Sequence, residues 1–264
     1  MPELTALAWV LLGVGAVVIG LSKAALPGAA TIAVALFAAV LPAKQSTGTI
    51  LLLLIVGDAF AMLAYRHHAD VRTLVRLIPA VVAGMIAGAV FLAFAPDAAV
   101  RQVIGILLLL VVAVTLWRRA AQARGTGRPG GRAAPDGEPR ADTVGERRIA
   151  AAAYGSIGGF TTMVANAAGP VMSMYFLAMR LPVQAFLGTA AWFFAIVNLA
   201  KLPFSIGLGL ITAEGVLIAL VLVPVVIASA FAGRWIARRI DQLLFERIII
   251  VLTVVGSVYL LLPR

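Results

Sequence analysis

Apolar residues run through this chain in long blocks, separated by short polar or basic stretches. The blocks cover 4–22, 27–41, 46–65, 74–95 and 98–118, then 149–168, 170–181, 185–206, 211–235 and 245–262. Most approach the roughly 20 residues that an α-helix needs to cross a bilayer core. The strands of a membrane barrel alternate over about 10 residues, whereas these blocks are longer and do not alternate. The predicted fold class is an all-α polytopic membrane protein. Blocks 27–41 and 170–181 are short for full spans and are expected to be tilted, broken or re-entrant.

The stretch 119–148 is different in kind. From Ala120 it reads AAQARGTGRPGGRAAPDGEPRADTVGERR, rich in Gly, Pro, Arg and acids. Such a composition cannot bury a core and predicts a flexible loop. The chain thus divides into a first membrane repeat, 1–118, a linker, 119–148, and a second membrane repeat, 149–264. The first block opens Met1-Pro2-Glu3, without the basic region of a cleaved signal, and reads as a retained segment.

Composition agrees with the pattern. Hydrophobic residues make up 62% of the 264 and charged residues 12%, where soluble chains carry about a quarter charged. The mean hydropathy is +1.07. A net charge of +10 would suit nucleic acid, but the basic residues sit between apolar blocks, where the positive-inside rule puts them. The partner is a lipid bilayer and not nucleic acid; nothing indicates an oligomeric state. Absence of cysteine excludes disulfides, thiolate metal sites and thiol catalysis.

Basic residues cluster at Arg66, Arg72 and Arg76, throughout the linker, and at Arg234, Arg238, Arg239 and Arg247. Placing all three clusters in the cytoplasm is consistent with the number of crossings between them and leaves both termini outside. Each half then crosses an odd number of times, so the halves are expected to lie in opposite orientations.

The halves also align with each other. Lys23-Ala-Ala-Leu-Pro27 matches Asn166-Ala-Ala-Gly-Pro170. Pro42, Gly48-Thr49 and Asp58 match Pro182, Gly188-Thr189 and Asn198 at one constant offset. Pro79, Gly84 and Gly88 match Pro224, Ser229 and Gly233. Inverted repeats of this kind characterise secondary transporters, whose substrate site lies where the repeats meet and is built from broken helices. Pro27 and Pro170 are the expected breaks.

Ionisable groups inside a bilayer are costly and mark function. Lys23, Asn166, Asn198 and Lys201 are candidates for an anion pocket, since ammonium and amide groups donate hydrogen bonds to oxyanions. Thr49 and Thr189 are further candidate donors. The competing reading has Lys23 and Lys201 snorkelling to opposite surfaces. Asp58 is a candidate for proton coupling, or simply the partner of a nearby lysine. His67 and His68 adjoin Arg66 and, being consecutive, do not share a helix face; they read as solvated. The small polar run Ser156 to Thr162 suits close helix packing and cavity lining. Trp192, Phe193 and Phe194 read as packing or interfacial anchors. No catalytic triad, phosphate loop or paired carboxylates occur, so neither catalytic residues, metal nor cofactor is expected.

The stretch Gly20-Leu-Ser-Lys-Ala-Ala-Leu-Pro-Gly28 resembles the first-half motif of the TauE/SafE family of sulfite-exporter-like permeases. The run GFTTMVANAAGPVMSMYFLAMRLPVQAFLGTAAWFFAIVNLAKLPF, Gly159 to Phe204, is similar to one branch of that family. The resemblance spans the chain outside the linker. It implies export of small sulfur-containing anions, sulfite or organosulfonates, across a bacterial inner membrane. The matched motif positions are Lys23, Pro27, Asn166, Pro170, Gly188, Thr189, Asn198 and Lys201.

Overall fold

The computed structural model describes residues 4–25, 30–125, 144–179, 181–236 and 242–262. Its described residues form ten α-helices and no strand. In the first half these are α1 (Ala6–Ala25), α2 (Ala30–Val40), α3 (Ala43–Tyr65), α4 (Val71–Phe94) and α5 (Asp97–Gly125). In the second half they are α6 (Val144–Ala165), α7 (Ala168–Ala178), α8 (Val183–Gly207), α9 (Ala213–Ile236) and α10 (Gln242–Leu261). Each apolar block corresponds to one helix. Six of the helices are long and apolar enough to cross a membrane. Helices α2 and α7 have 11 residues each, about 16 Å at 1.5 Å per residue, and cannot alone cross a core of about 30 Å.

Helix extends into the stretch 119–148 from both sides. Helix α5 runs on to Gly125 and α6 begins at Val144; the rest of the linker lies outside the described residues. Ala, Arg and Gln are strong helix formers, so RRAAQAR extends α5 past the apolar block until Gly125 ends it. Pro27 also lies outside the described residues, between the end of α1 and the start of α2.

Polar side chains near the helix ends satisfy groups that a bilayer leaves without water. Asp70 precedes α4 and accepts from the backbone N–H groups of Arg72 and Thr73. Asp97, first in α5, reaches across to accept from Ala43 N and Lys44 N at the start of α3. One turn on, Arg101 donates to the carbonyls of Tyr259 and Leu260 at the end of α10. Pro42 and Pro182, a matched pair, both stand in extended conformation immediately before α3 and α8.

The most extensive packing joins the halves: α4 lies along α6, and α1 along α9. Small residues permit it. A Cβ at Gly84 would stand 2.1 Å from the Ser156 carbonyl oxygen, and one at Gly20 would stand 2.5 Å from that of Val226. Helices α3 and α8 run antiparallel. Gly188, near the start of α8, abuts the backbone of Tyr65 to Ala69 after α3, and Gly48, near the start of α3, abuts Leu210 after α8. Outward surfaces are apolar stripes, such as Val71, Val75, Ile78, Val82, Ile86 and Val90 along α4. Spaced by three and four residues, they present one face to lipid.

Gly84→Val is expected to separate α4 from α6 and lower stability by about 1–3 kcal/mol. Gly13, beside which nothing lies within 4 Å, accepts alanine without loss. Thermal unfolding of the two variants in detergent checks the contrast; equal midpoints would mean that close helix approach does not hold the halves together.

Candidate functional site

Asp58 and Asn198 lie at equivalent places along α3 and α8 and meet directly. The Asn198 amide nitrogen donates to Asp58 Oδ2 at 2.6 Å. Lys23, in the last turn of α1, donates to the other carboxylate oxygen at 2.5 Å. Gly57 makes room for the Lys23 stem, because a Cβ there would meet Lys23 Cγ at 2.8 Å. The Lys23 ammonium also stands 4.7 Å from the centre of the Phe194 ring, within cation–π range.

On the other side of Asn198 lies Lys201, fully buried. Its ammonium donates to Asn166 Oδ1 and to Thr162 Oγ1 at 3.3 Å, and approaches Asn198 Oδ1 at 3.4 Å. Asn166 in turn donates to the Thr47 carbonyl at 3.0 Å. One connected network therefore runs from Lys23 through Asp58, Asn198, Lys201 and Asn166 to Thr47, crossing between the halves twice.

The chain around Asn166 explains how these groups reach one another. Helix α6 stops at Ala165, and Asn166 takes a positive φ of 51°, a conformation that Asn tolerates better than most residues. Its N–H returns to the Thr162 carbonyl and closes the last turn. Pro170 falls in the first turn of α7, where its missing N–H interrupts no helical bond. The α6–α7 break thus occurs at Asn166, ahead of the proline.

A pocket adjoins this network. Ser22, Lys23, Asp58, Thr162, Asn166 and Asn198 form its polar side. Leu54, Ala61, Leu187 and Phe194 are among its apolar lining. It extends to Tyr65 and Leu187, towards the end of the molecule that carries Arg66 and Arg72. With its lysines and Asp58 ionised, the network holds two positive charges and one negative. Lys201 has only neutral oxygens as direct partners. In a medium of low dielectric that excess favours an anion.

Five candidates from the sequence, Lys23, Asp58, Asn166, Asn198 and Lys201, are brought together. Lys201 stands behind the pocket wall and is absent from its lining. Neither lysine snorkels to a surface. The Asp58–Lys23 pair is the ion-pair alternative considered for Asp58.

Thr49 and Thr189 are placed elsewhere. Thr49 donates to the Gln45 carbonyl in its own helix, and Thr189 accepts from Asp70 N in the loop after α3. Their shared sequence position reflects helix-end packing beside Gly48 and Gly188. Sequence reasoning missed Ser22 and Tyr65 as pocket lining, and it read Phe194 only as packing or an interfacial anchor. Ser22 adjoins Lys23 in the chain, and Tyr65 lies two turns beyond Asp58 on the same face; both spacings are legible signals.

His67 and His68 are exposed. No group of three or more metal-ligating side chains occurs among the described residues. Trp192 donates its indole N–H to the Arg66 carbonyl, which ties α8 to the segment after α3.

Asp58→Ala leaves the Lys23 ammonium unpaired, and breaking such a pair costs about 3–5 kcal/mol when it is buried. Lys23→Met is expected to destabilise for the same reason, and the double variant should recover part of the loss. Unfolding midpoints of the four proteins close the cycle. A double variant as unstable as the summed singles would show that the two groups are not coupled.

Against known proteins, the sequence profile of the family "Sulfite exporter TauE/SafE" matches residues 11–260. No curated protein and no solved structure matches the chain. The profile spans both halves and every residue of the buried network, and the chain belongs to the TauE/SafE sulfite exporter family.

Proposed function

We propose that this multi-pass membrane protein is a secondary transporter or facilitator that exports small sulfur-containing anions, sulfite or organosulfonates, by alternating access. The observation that carries this reading is the buried network of two lysines and one carboxylate, beside a pocket where the two halves meet. Oxyanions are recognised by fixed N–H donors, and Lys23 is the cation that faces the pocket. Asn166 and Asn198 hold their amides in place through bonds to Lys201, Thr47 and Asp58.

Helix packing supports an inverted repeat. Exchanging α1 to α5 for α6 to α10 converts the α4–α6 contact into the α9–α1 contact, and both are present. The α3–α8 and α5–α10 contacts map onto themselves. The antiparallel α3 and α8, with matched residues Asp58 and Asn198 bonded to each other, fit a two-fold axis lying in the membrane plane.

The pocket extends towards the loop that carries Arg66 and Arg72. By the positive-inside rule that loop is cytoplasmic, as is the linker, with both termini outside. In a bacterial inner membrane the arrangement is then an inward-facing state that takes its anion from the cytoplasm. An inside-negative potential favours exit of each negative charge by about 2.3 kcal/mol per 100 mV, so export can proceed without a coupling ion. Asp58, already held by Lys23 and Asn198, acts in this reading as the internal counter-ion that the substrate must outcompete for Lys23.

Flux of sulfite, sulfoacetate and taurine from proteoliposomes tests the reading, with empty vesicles as the baseline. Lys23→Ala is expected to lower anion affinity by about tenfold or more, as for a lost charge-assisted bond. Asp58→Asn is expected to retain flux under an electrical potential. If Asp58→Asn instead abolished dependence on a pH gradient while binding persisted, proton coupling through Asp58 would replace the uncoupled mechanism. No flux of any anion above baseline would defeat the assignment.

A further inference from the structure

We infer that Lys201 and Ser205 form a second anion station, on the closed side of the network, which is reached from the face opposite the pocket. The inference rests on the alternating-access reading above and extends it.

Asn198, Lys201 and Ser205 follow one another along a single face of α8, at spacings of three and four residues. All three are buried, with exposures of 1%, 0% and 1%. Pocket lining on α8 begins at Leu187 and ends at Asn198. Lys201 and Ser205 continue the same line deeper, towards the end of α8. The polar track therefore does not stop where the pocket stops.

Ser205 is the unexplained member. Its hydroxyl is buried and has no hydrogen-bond partner. A serine within a helix usually bonds back to a carbonyl one turn earlier, as Ser229 and Ser257 do here. A buried polar group without a partner requires a reason, and a ligand occupied only in part of a transport cycle is such a reason. Beside it, the Lys201 ammonium is held by Thr162, Asn166 and Asn198, all neutral. Pro203 lies between the two residues within α8. It leaves the carbonyl of Leu199 without its helical donor and weakens the turn that carries them.

The repeat supplies an independent argument. At the offset that pairs Asp58 with Asn198, Leu54 corresponds to Phe194, Ala61 to Lys201 and Tyr65 to Ser205. Leu54, Asp58, Ala61 and Tyr65 all line the pocket, as do Phe194 and Asn198. Exchanging the conformations of the halves closes this pocket and opens its counterpart, in which Lys201 and Ser205 occupy the places that Ala61 and Tyr65 occupy now. An anion leaving Lys23 then meets a second ammonium and an unpartnered hydroxyl on its way out.

The chain has no cysteine, so a single substitution gives a unique thiol. Ala61→Cys and Ser205→Cys are placed separately in oriented proteoliposomes and treated with a membrane-impermeant thiol reagent from each face, with and without a sulfite gradient. Cys at 61 is expected to react from the face bearing the Arg66 loop. Cys at 205 is expected to react only from the opposite face, about tenfold faster during turnover. Reaction of both from one face overturns the inference, as does a silent Cys at 205 in protein that still transports.

If no anion is carried, labelling of 205 from the opposite face retains the path while the substrate assignment fails; no labelling removes the path as well. Lys201→Met supplies a second readout. The ratio of sulfite KM values measured from the two faces should shift by about tenfold, as for one lost charge-assisted bond. An equal change at both faces would mark a merely structural lysine and overturn the station.

Discussion

A fully buried lysine side chain governs the centre of this molecule. Lys201 lies among apolar helices, where an unsolvated charge is expensive, and the surrounding structure keeps its protons hydrogen-bonded. That requirement brings α6 and α8 together through Thr162, Asn166 and Asn198. Asn198 then turns its N–H towards Asp58, which holds Lys23. An amide is suited to each intermediate position because it accepts from a cation with one atom and donates with the other. A carboxylate at Asn166 or Asn198 would satisfy Lys201 equally well but would cancel the excess positive charge. On the proposed function, neutral bridging groups leave that charge for the anion.

The same requirement accounts for the helix break. A continuous α6–α7 helix would give Asn166 ordinary helical geometry and carry the chain onward past α8. Stopping α6 before Asn166 turns the chain within two residues, Asn166 and Ala167. The positive φ costs some backbone energy, which the bonds from Lys201 to Asn166 and from Asn166 to Thr47 offset. Thr47 also donates to the Val164 carbonyl, giving a second link between α3 and the end of α6. Polar bonds thus complete what the small-residue contacts of α1 with α9 and α4 with α6 begin.

Helix number and order were legible in the sequence because hydrophobic blocks report the bilayer directly. Their ends were less so. The α5 extension to Gly125 is driven by helix propensity in a polar segment, which a reading based on apolar blocks does not weigh. The network residues were legible because polar groups are rare within the blocks. What hydropathy does not contain is depth. Lys201 and Asn198, one turn apart, differ in that one lies behind the wall and the other forms it. Thr49 and Thr189 show the limit of a repeat match. Position is shared by the halves, but each threonine satisfies a carbonyl or N–H near a helix end and bonds to no member of the network.

On the proposed inverted repeat, side-chain asymmetry between the halves has a mechanistic consequence. With Ala61 at the sequence position equivalent to Lys201, the two states of the proposed alternating cycle are not equivalent. The proposed inward-facing state buries a lysine with its hydrogen bonds made and exposes an alanine to the pocket. The opposite state would expose the lysine and bury the alanine. A ligand shifts such an equilibrium only by the difference in its affinity for the two states, and an anion binds more tightly where a second ammonium becomes available. On the proposed mechanism, the lysine that holds the empty transporter inward-facing is also what lets an anion draw it outward. A neutral or cationic solute gains nothing from that exposure, so the selectivity of transport would arise in the conformational step as well as at Lys23.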